Sequence, residues 1–313
     1  MTTKDTPLVS IIMATYNRAH LINDSLESIN NQKFENFECL IIDDGGQDNT
    51  KIVVEEFIAG DERFSYLVRP DEYKKGLPGC RNYGLDICKG DYVIFFDDDD
   101  IMHPQNLEFG IEAIQDTGKS FCRFQRATFQ SQFNIKFETQ VLQTHSYIDH
   151  LDFYSIMTNR LPFNSCQIFW AKKCFEKFRF YEALMYAEEW ECYLKIILAG
   201  FEGVNIENTL MYARKHTQSN TGEYFDGSSI RLNSHAEAIE SLLHFISKTN
   251  SWTFKVKKFL FNEYLRLKGH LPLVKILNSS VSPLESLFWQ AYARLMPIRI
   301  KLYKIRKSIK TSI

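Results

Sequence analysis

The 313-residue chain has no run approaching eighteen apolar residues, no CxxC pair, and no glycine from Ala14 to Arg18, where its first apolar run ends. The first absence excludes a spanning helix, and Met1–Pro7 lacks the apolar stretch of a secretory signal, so the sequence reads as a cytoplasmic protein. The second leaves seven cysteines (Cys39, Cys80, Cys88, Cys122, Cys166, Cys174 and Cys192), an odd number that predicts reduced, buried thiols rather than a disulfide frame or zinc site. The third excludes the glycine-rich loops that cradle phosphates in dinucleotide-binding folds and P-loops. What is present is apolar content of 44%, enough to bury a sizeable core in about two domains.

The net charge of −2 conceals a strong asymmetry. From Trp252 to Ile313 thirteen Lys and Arg face two acids, Glu263 and Glu285, a local net of +11 that leaves −13 for the rest. Such a tail suits an anionic surface.

Four short apolar runs, Leu8–Ala14, Phe37–Asp43, Phe64–Val68 and Tyr92–Phe96, read as strands buried on both faces. Between them His20–Asn31, Thr50–Ala59 and Gly79–Lys89 carry helical spacing. The alternation predicts an α/β fold with a mostly parallel sheet flanked by helices, and ligands at the carboxyl ends of the strands. Further on, Phe121–Phe129 and Gln167–Trp170 lean to strand; His145–Asn159, Glu188–Ala199 and Ser234–Lys248 to helix. Residues 1–220 are expected to form one α/β domain and 221–313 a helical, basic C-terminal region.

Acids collect at the strand ends. The second strand runs into Asp43 and Asp44, the fourth into Asp97, Asp98, Asp99 and Asp100. Four consecutive aspartates repel one another unless a cation neutralises them, and a hard divalent ion, Mg²⁺ or Mn²⁺, bound through one or two carboxylates and a substrate phosphate meets that need. The bland alternative is an acidic loop ahead of the helix that Pro104 opens.

At this point VSIIMATYNR (9–18), FECLIIDDGGQDNT (37–50), GLPGCRNYGL (76–85) and GDYVIFFDDDD (90–100) resemble the inverting family 2 glycosyltransferases, in the family's order and spacing over about the first 115 residues. The resemblance implies a GT-A fold, Rossmann-like, that binds a nucleotide-sugar along Ala14, Tyr16, Asn17 and Arg18. Tyr16 would stack on the base and Asp44 accept a hydrogen bond from it. Arg81 would contact the diphosphate or hold the acidic cluster. Asp97 or Asp98 would face the ribose, and Asp97 and Asp99, in the DxD positions, the metal. Glu188 and Glu189 resemble the acidic pair that opens a helix and supplies the base; Glu189 stands where Asp is usual, which leaves the choice between them open. Tyr212–Lys215 and His216 resemble a stretch whose histidine meets the metal or diphosphate, and His103 is a second imidazole near the aspartates.

The activity implied is transfer of a sugar from a UDP-sugar donor to a hydroxyl of a glycan or lipid-linked glycan acceptor, in surface polysaccharide or lipopolysaccharide synthesis. A sugar nucleotidyltransferase or a non-catalytic glycan-binding scaffold of the same fold are the alternatives; the former normally carries a glycine-rich loop that Ala14–Arg18 does not offer. In the tail, Phe254–Lys268 and the stripe Leu284, Leu287, Phe288, Ala291 and Leu295 lie beside Arg294, Arg299, Lys301, Lys304, Arg306, Lys307 and Lys310. This combination points to peripheral association with an anionic inner-membrane face, with a helical cap as its alternative. Nucleic acid is not expected, since the main body is acidic and no reader motif occurs.

Overall fold

The computed structural model describes residues 8–130, 132–215, 220–249, 253–268 and 281–295. His216, Arg299 and the basic residues after it lie outside the described residues. The chain divides into two compact units, Met1–Gly227 and Ser228–Ile313.

In the first unit, β1 (Val9–Thr15), α1 (Ile22–Asn30), β2 (Phe37–Asp43), α2 (Thr50–Phe57), β3 (Phe64–Val68), α3 (Leu77–Ile87) and β4 (Tyr92–Asp97) follow the alternation read from the sequence. Then come β5 (Ile101–Met102), α4 (Asn106–Thr117), β6 (Phe121–Gln130), β7 (Thr144–Ile148), α5 (Phe153–Met157), β8 (Ile168–Ala171), α6 (Glu188–Leu198), β9 (Gly203–Lys215) and α7 (Asn220–Phe225). Among the described residues all nine strands form one sheet, in the order β3-β2-β1-β4-β8-β6-β9-β5, with β7 paired to β9.

The β1–β4 strands are parallel because each connection is a crossover helix; the apolar runs of β1, β2 and β4 are buried on both faces, whereas β3, at the sheet's edge, is partly exposed. Register then aligns the acids. Thr15 pairs with Asp43 and Ala14 with Asp97, so three chain segments leave the sheet along one edge. Strand order reverses between β1 and β4, which opens the crevice where ligands of such sheets bind.

Helix α3 lies close on the sheet because Gly84 has no side chain. A Cβ there would sit 2.5 Å from Ile12 Cγ2 and 2.9 Å from Ile42 Cδ1. Gly84→Ala is expected to cost about 1–3 kcal/mol by overpacking, read as a lower denaturant midpoint at unchanged slope.

The expected helix over His145–Asn159 is split. Tyr147 and Ile148 pair with Val204 and Gly203 as strand β7, and Asp149 then caps a short turn by accepting from Leu151 N at 2.6 Å before α5 begins. Strand β9, thirteen residues long, has no counterpart in the sequence reading and includes Tyr212–Lys215.

In the second unit, α8 (Ser229–Ser247) packs on α9 (Phe254–Lys268), and a further helix, α10, runs from 283 to 295. Tyr264 donates to Glu240 at 2.6 Å, and Lys257 pairs with Glu285 at 2.5 Å. Helix α7 belongs to the first unit, where Tyr224 stacks on Tyr186 at 4.4 Å.

Candidate active site

Arg81 is the hub of the sheet's carboxyl edge. Helix α3 carries it into the interior, where 1% of its surface remains exposed and its guanidinium lies over Phe95 and Phe180 at 5.6 and 5.4 Å. One end of the fork donates to Glu189 at 2.7 Å and lies 3.4 Å from Glu188; the other reaches Ser165 Oγ at 2.9 Å and Asp97 at 3.4 Å. Residues from α3, β4, the turn before β8 and α6 thus meet on one cation. A planar fork serves several oxygens at fixed geometry in a way an ammonium cannot.

Both glutamates stand in the first turn of α6, after Ala187 in a left-handed conformation (φ 65°), where the helix dipole favours negative charge. Glu189 accepts from Arg81, from Ser165 Oγ at 2.7 Å and from Ser165 N at 2.9 Å. Burial raises its pKa, but Arg81 and Ser165 outweigh that and hold it below the ordinary carboxyl value. Glu188 is more enclosed, and burial, reinforced by Glu189, pushes it up to about 7. The side chain of Glu189 keeps 23% of its exposure against 8% for Glu188, so Glu189 is the more accessible of the two carboxylates.

The four aspartates are folded into a tight turn, pinned from two sides. Ser25 of α1 donates to Asp100 O at 2.7 Å, while Arg214 of β9 donates its N–H to Asp100 Oδ1 at 2.9 Å and its Nε to Asp99 O at 3.0 Å. Arg214 also pairs with Asp24 at 2.6 Å. Partial burial lifts Asp97, whose side chain keeps 43% of its exposure, to about 6, with Arg81 opposing and Glu189 and Asp99 adding. Asp98 reaches about 7 for the same first reason, despite Thr15 and Arg18, the latter 3.4 Å away. Burial, with Asp97 and Asp99 adding, raises Asp100 well above the ordinary carboxyl value.

Among the described residues one group could close on a cation: Asp97, Asp100 and Cys166 offer ligand atoms within 4.8 Å of one another. The carboxylates fit a hard divalent ion. Cys166 does not, because its thiol is soft and burial with the adjacent acids keeps it protonated. The expected DxD pair is therefore placed only in part: Asp97 belongs to this group, and Asp99 is half-buried beside it. His103 is buried, accepts from Gln105 N at 3.1 Å through Nδ1 and packs edge-on against Phe137, so it is a core residue.

Raised carboxyl pKa values make a stability prediction. The folded protein keeps protons on Asp98 and Glu188 that the unfolded chain releases above about pH 4, so their stabilising share is full below that value and is lost as pH rises through about 7. Groups with lowered values, such as Glu189, act only below that window. With chelator present, the melting temperature is expected to fall between about pH 5.5 and about pH 8, and added Mn²⁺ to recover most at the higher pH; a rise with pH would overturn the sign.

The crevice continues at the end of β1. Ala14 sits in register with Asp97, and Tyr16 is 45% exposed with Lys75 Nζ 4.7 Å above its ring. Asn17, left-handed at φ 56°, accepts from Gln47 N at 2.7 Å and so ties this loop to the one after β2. Arg18 N donates to Thr50 Oγ1 at 2.8 Å. Asp44 is held by Arg69 Nε at 2.6 Å and Gly76 N at 3.1 Å, which fixes its carboxylate at the crevice.

Three residues here escaped the sequence reading. Ser165 holds Glu189; Asn82 binds Phe180 O and Glu182 Oε1 at 2.8 and 2.9 Å, which fastens the segment before α6; Arg214 pins the aspartate turn. Asn82 follows Arg81 directly, and Arg214 lies within the stretch already singled out, whereas Ser165 has no spacing or compositional signal.

A sequence profile, Glycosyl transferase family 2, matches residues 10–178. The chain belongs to this family. A relative from Campylobacter jejuni, GalNAc(5)-diNAcBac-PP-undecaprenol beta-1,3-glucosyltransferase, is 40% identical over 94 residues, 30% of this chain and 30% of that protein. The Escherichia coli UDP-Glc:alpha-D-GlcNAc-diphosphoundecaprenol beta-1,3-glucosyltransferase WfgD is 40% identical over 117 residues, 37% of this chain and 45% of that one. The matches thus span less than half of either relative. Among solved structures, S. aureus TarS in complex with UDP-GlcNAc superposes with a TM-score of 0.60 at 18% identity, covering 91% of this chain and 87% of TarS. The mannosyltransferase PcManGT from Pyrobaculum calidifontis, in complex with GDP-Man and Mn²⁺, gives 0.55 at 16% identity over 98% and 84%. These likenesses carry the fold, a GT-A architecture with a mostly parallel sheet flanked by helices.

Proposed function

We propose that this chain is an inverting, metal-dependent glycosyltransferase that moves a sugar from a UDP-sugar to a hydroxyl of a lipid-linked glycan during surface polysaccharide or lipopolysaccharide synthesis. The observation that carries the reading is Arg81, which joins Glu189, on the acceptor side, to Asp97, on the donor side, through one guanidinium. The two relatives' names specify undecaprenyl diphosphate-linked acceptors, and one specifies UDP-Glc.

In this reading the exposed face of Tyr16 takes the base, since an aromatic face suits a flat heterocycle, and Asp44 accepts from the N3–H of uracil. Asp98 and Arg18 border the ribose and diphosphate. Asp97 and Asp99, with Asp100 behind them, would hold Mg²⁺ or Mn²⁺, which when bound offsets charge developing on the departing diphosphate; His216 is a further candidate ligand. Glu189 accepts the proton of the acceptor hydroxyl as its oxygen attacks the anomeric carbon from the face opposite the nucleotide. A single displacement inverts that centre. Arg81 and Ser165 keep Glu189 ionised and oriented before the acceptor arrives. Work at the lipid-linked acceptor calls for peripheral attachment to the inner membrane face; among the described residues no helix is long and apolar enough to cross a membrane.

The test is UDP release by the purified chain across a panel of UDP-sugars with Mn²⁺ and an undecaprenyl diphosphate-linked acceptor, followed by proton NMR of the product's anomeric coupling. Metal-dependent UDP release with an inverted centre is expected. Pyrophosphate chemistry would assign a nucleotidyltransferase, and inert donor under all conditions a scaffold.

A further inference from the structure

Helix α10 is apolar on two opposite faces. Ser286, Trp289 and Ala293 are buried, with Trp289 4.7 Å from Phe261 of α9. On the other side Leu284, Leu287, Phe288 and Leu295 are 82, 63, 51 and 55% exposed, and Ala291 lies on the same stripe. At 100° per residue these five fall within about a 100° arc, the width of a face that binds an apolar phase. Phe254, at the start of α9, is 59% exposed and its ring lies 6.3 Å from Phe288, which continues the stripe onto a second helix. A lone exposed leucine needs no account, but a contiguous row of large apolar side chains does.

The charge around it selects the occupant. Lys255 and Arg294 flank the row and are exposed, and the sequence from Trp252 to Ile313 carries +11. A second copy of this chain would bring the same positive charge to the contact, whereas an anionic bilayer accepts both the apolar row and the cations. We propose that Phe254, Leu284, Leu287, Phe288 and Leu295 form a membrane-inserting ridge by which α10 lies in the interface of an anionic leaflet. This rests on the reading of a lipid-linked acceptor, to which such a ridge would confine the enzyme.

The test uses the full chain and vesicles of equal parts phosphatidylglycerol and phosphatidylcholine, with pure phosphatidylcholine as the comparison. The wild type is expected to co-sediment with the anionic vesicles, weakly with the neutral ones, and less at high salt. Leu287→Ser with Phe288→Ser is expected to weaken binding by roughly tenfold or more while leaving the melting temperature in place, since both residues are exposed. Should that pair fold poorly, Leu284→Ser with Leu295→Ser carries the same comparison. No binding by the wild type, undiminished binding by both variants, or a dimer in light scattering that the variants dissociate would overturn the proposal. Vesicle binding needs neither donor nor acceptor, and UDP-sugar hydrolysis measured without vesicles reports separately on the catalytic reading.

Discussion

Arg81→Ala is expected to lower stability by about 3–5 kcal/mol and to abolish turnover, the loss seen when one partner of a buried ion pair is removed and the other is left uncompensated. Here more than one carboxylate is stranded. Glu188, Glu189 and Asp97 all lie within 3.4 Å of the guanidinium, and Ser165 loses a donor. The expected escape is protonation, so the variant should be most stable at mildly acid pH. Arg81→Lys restores a positive charge but not the fork, and is expected to recover part of the stability and little of the activity. Denaturant unfolding and UDP release on the same preparations check both halves. A stable, active Arg81→Ala would show that the hub is incidental.

Glu189→Gln is expected to lower kcat by roughly 10²–10⁴-fold, the usual share of a general base, with UDP affinity within twofold of wild type. Glutamine keeps the length but only one accepting oxygen, which can serve Arg81 or Ser165 N and not both, so some stability is lost along with the proton acceptor while Glu188 and Asp97 still pair with Arg81. Glu188→Gln is the necessary comparison. With Glu189 as the base, it removes a carboxyl already pushed up to about 7 and is expected to cost less than tenfold, as well as to flatten the loss of stability toward alkaline pH. The reverse ranking would assign the base to Glu188. A positioning role for Glu189 would leave the acidic limb of the kcat profile unmoved, whereas a base role removes it.

The sheet edge was legible in the sequence because unbroken apolar runs such as Ile11–Met13 and Val93–Phe96 signal strands buried on both faces, and helical runs between them leave few topologies open. The position of the acids followed from that alone, since the carboxyl ends of neighbouring parallel strands share an edge. Strand β9 was hidden because its mixed sequence, GVNIENTLMYARK, owes its pairing to β6 and β7 rather than to its own pattern. Ser165 was hidden for a related reason. A hydroxyl becomes functional only when a turn sets it 2.7 Å from a carboxylate 24 residues later, and no local signal records that distance. The partners of Arg81 lie up to 108 positions away and were equally out of reach, although its helix was plain.

Calorimetric titration of the purified chain with UDP, in Mn²⁺ and again in chelator, tests the central claim most directly. The account predicts binding in Mn²⁺ that disappears in chelator and in Asp97→Ala with Asp99→Ala, while Glu189→Gln binds as the wild type does. Equal binding with and without the ion, or none under either condition, would contradict it.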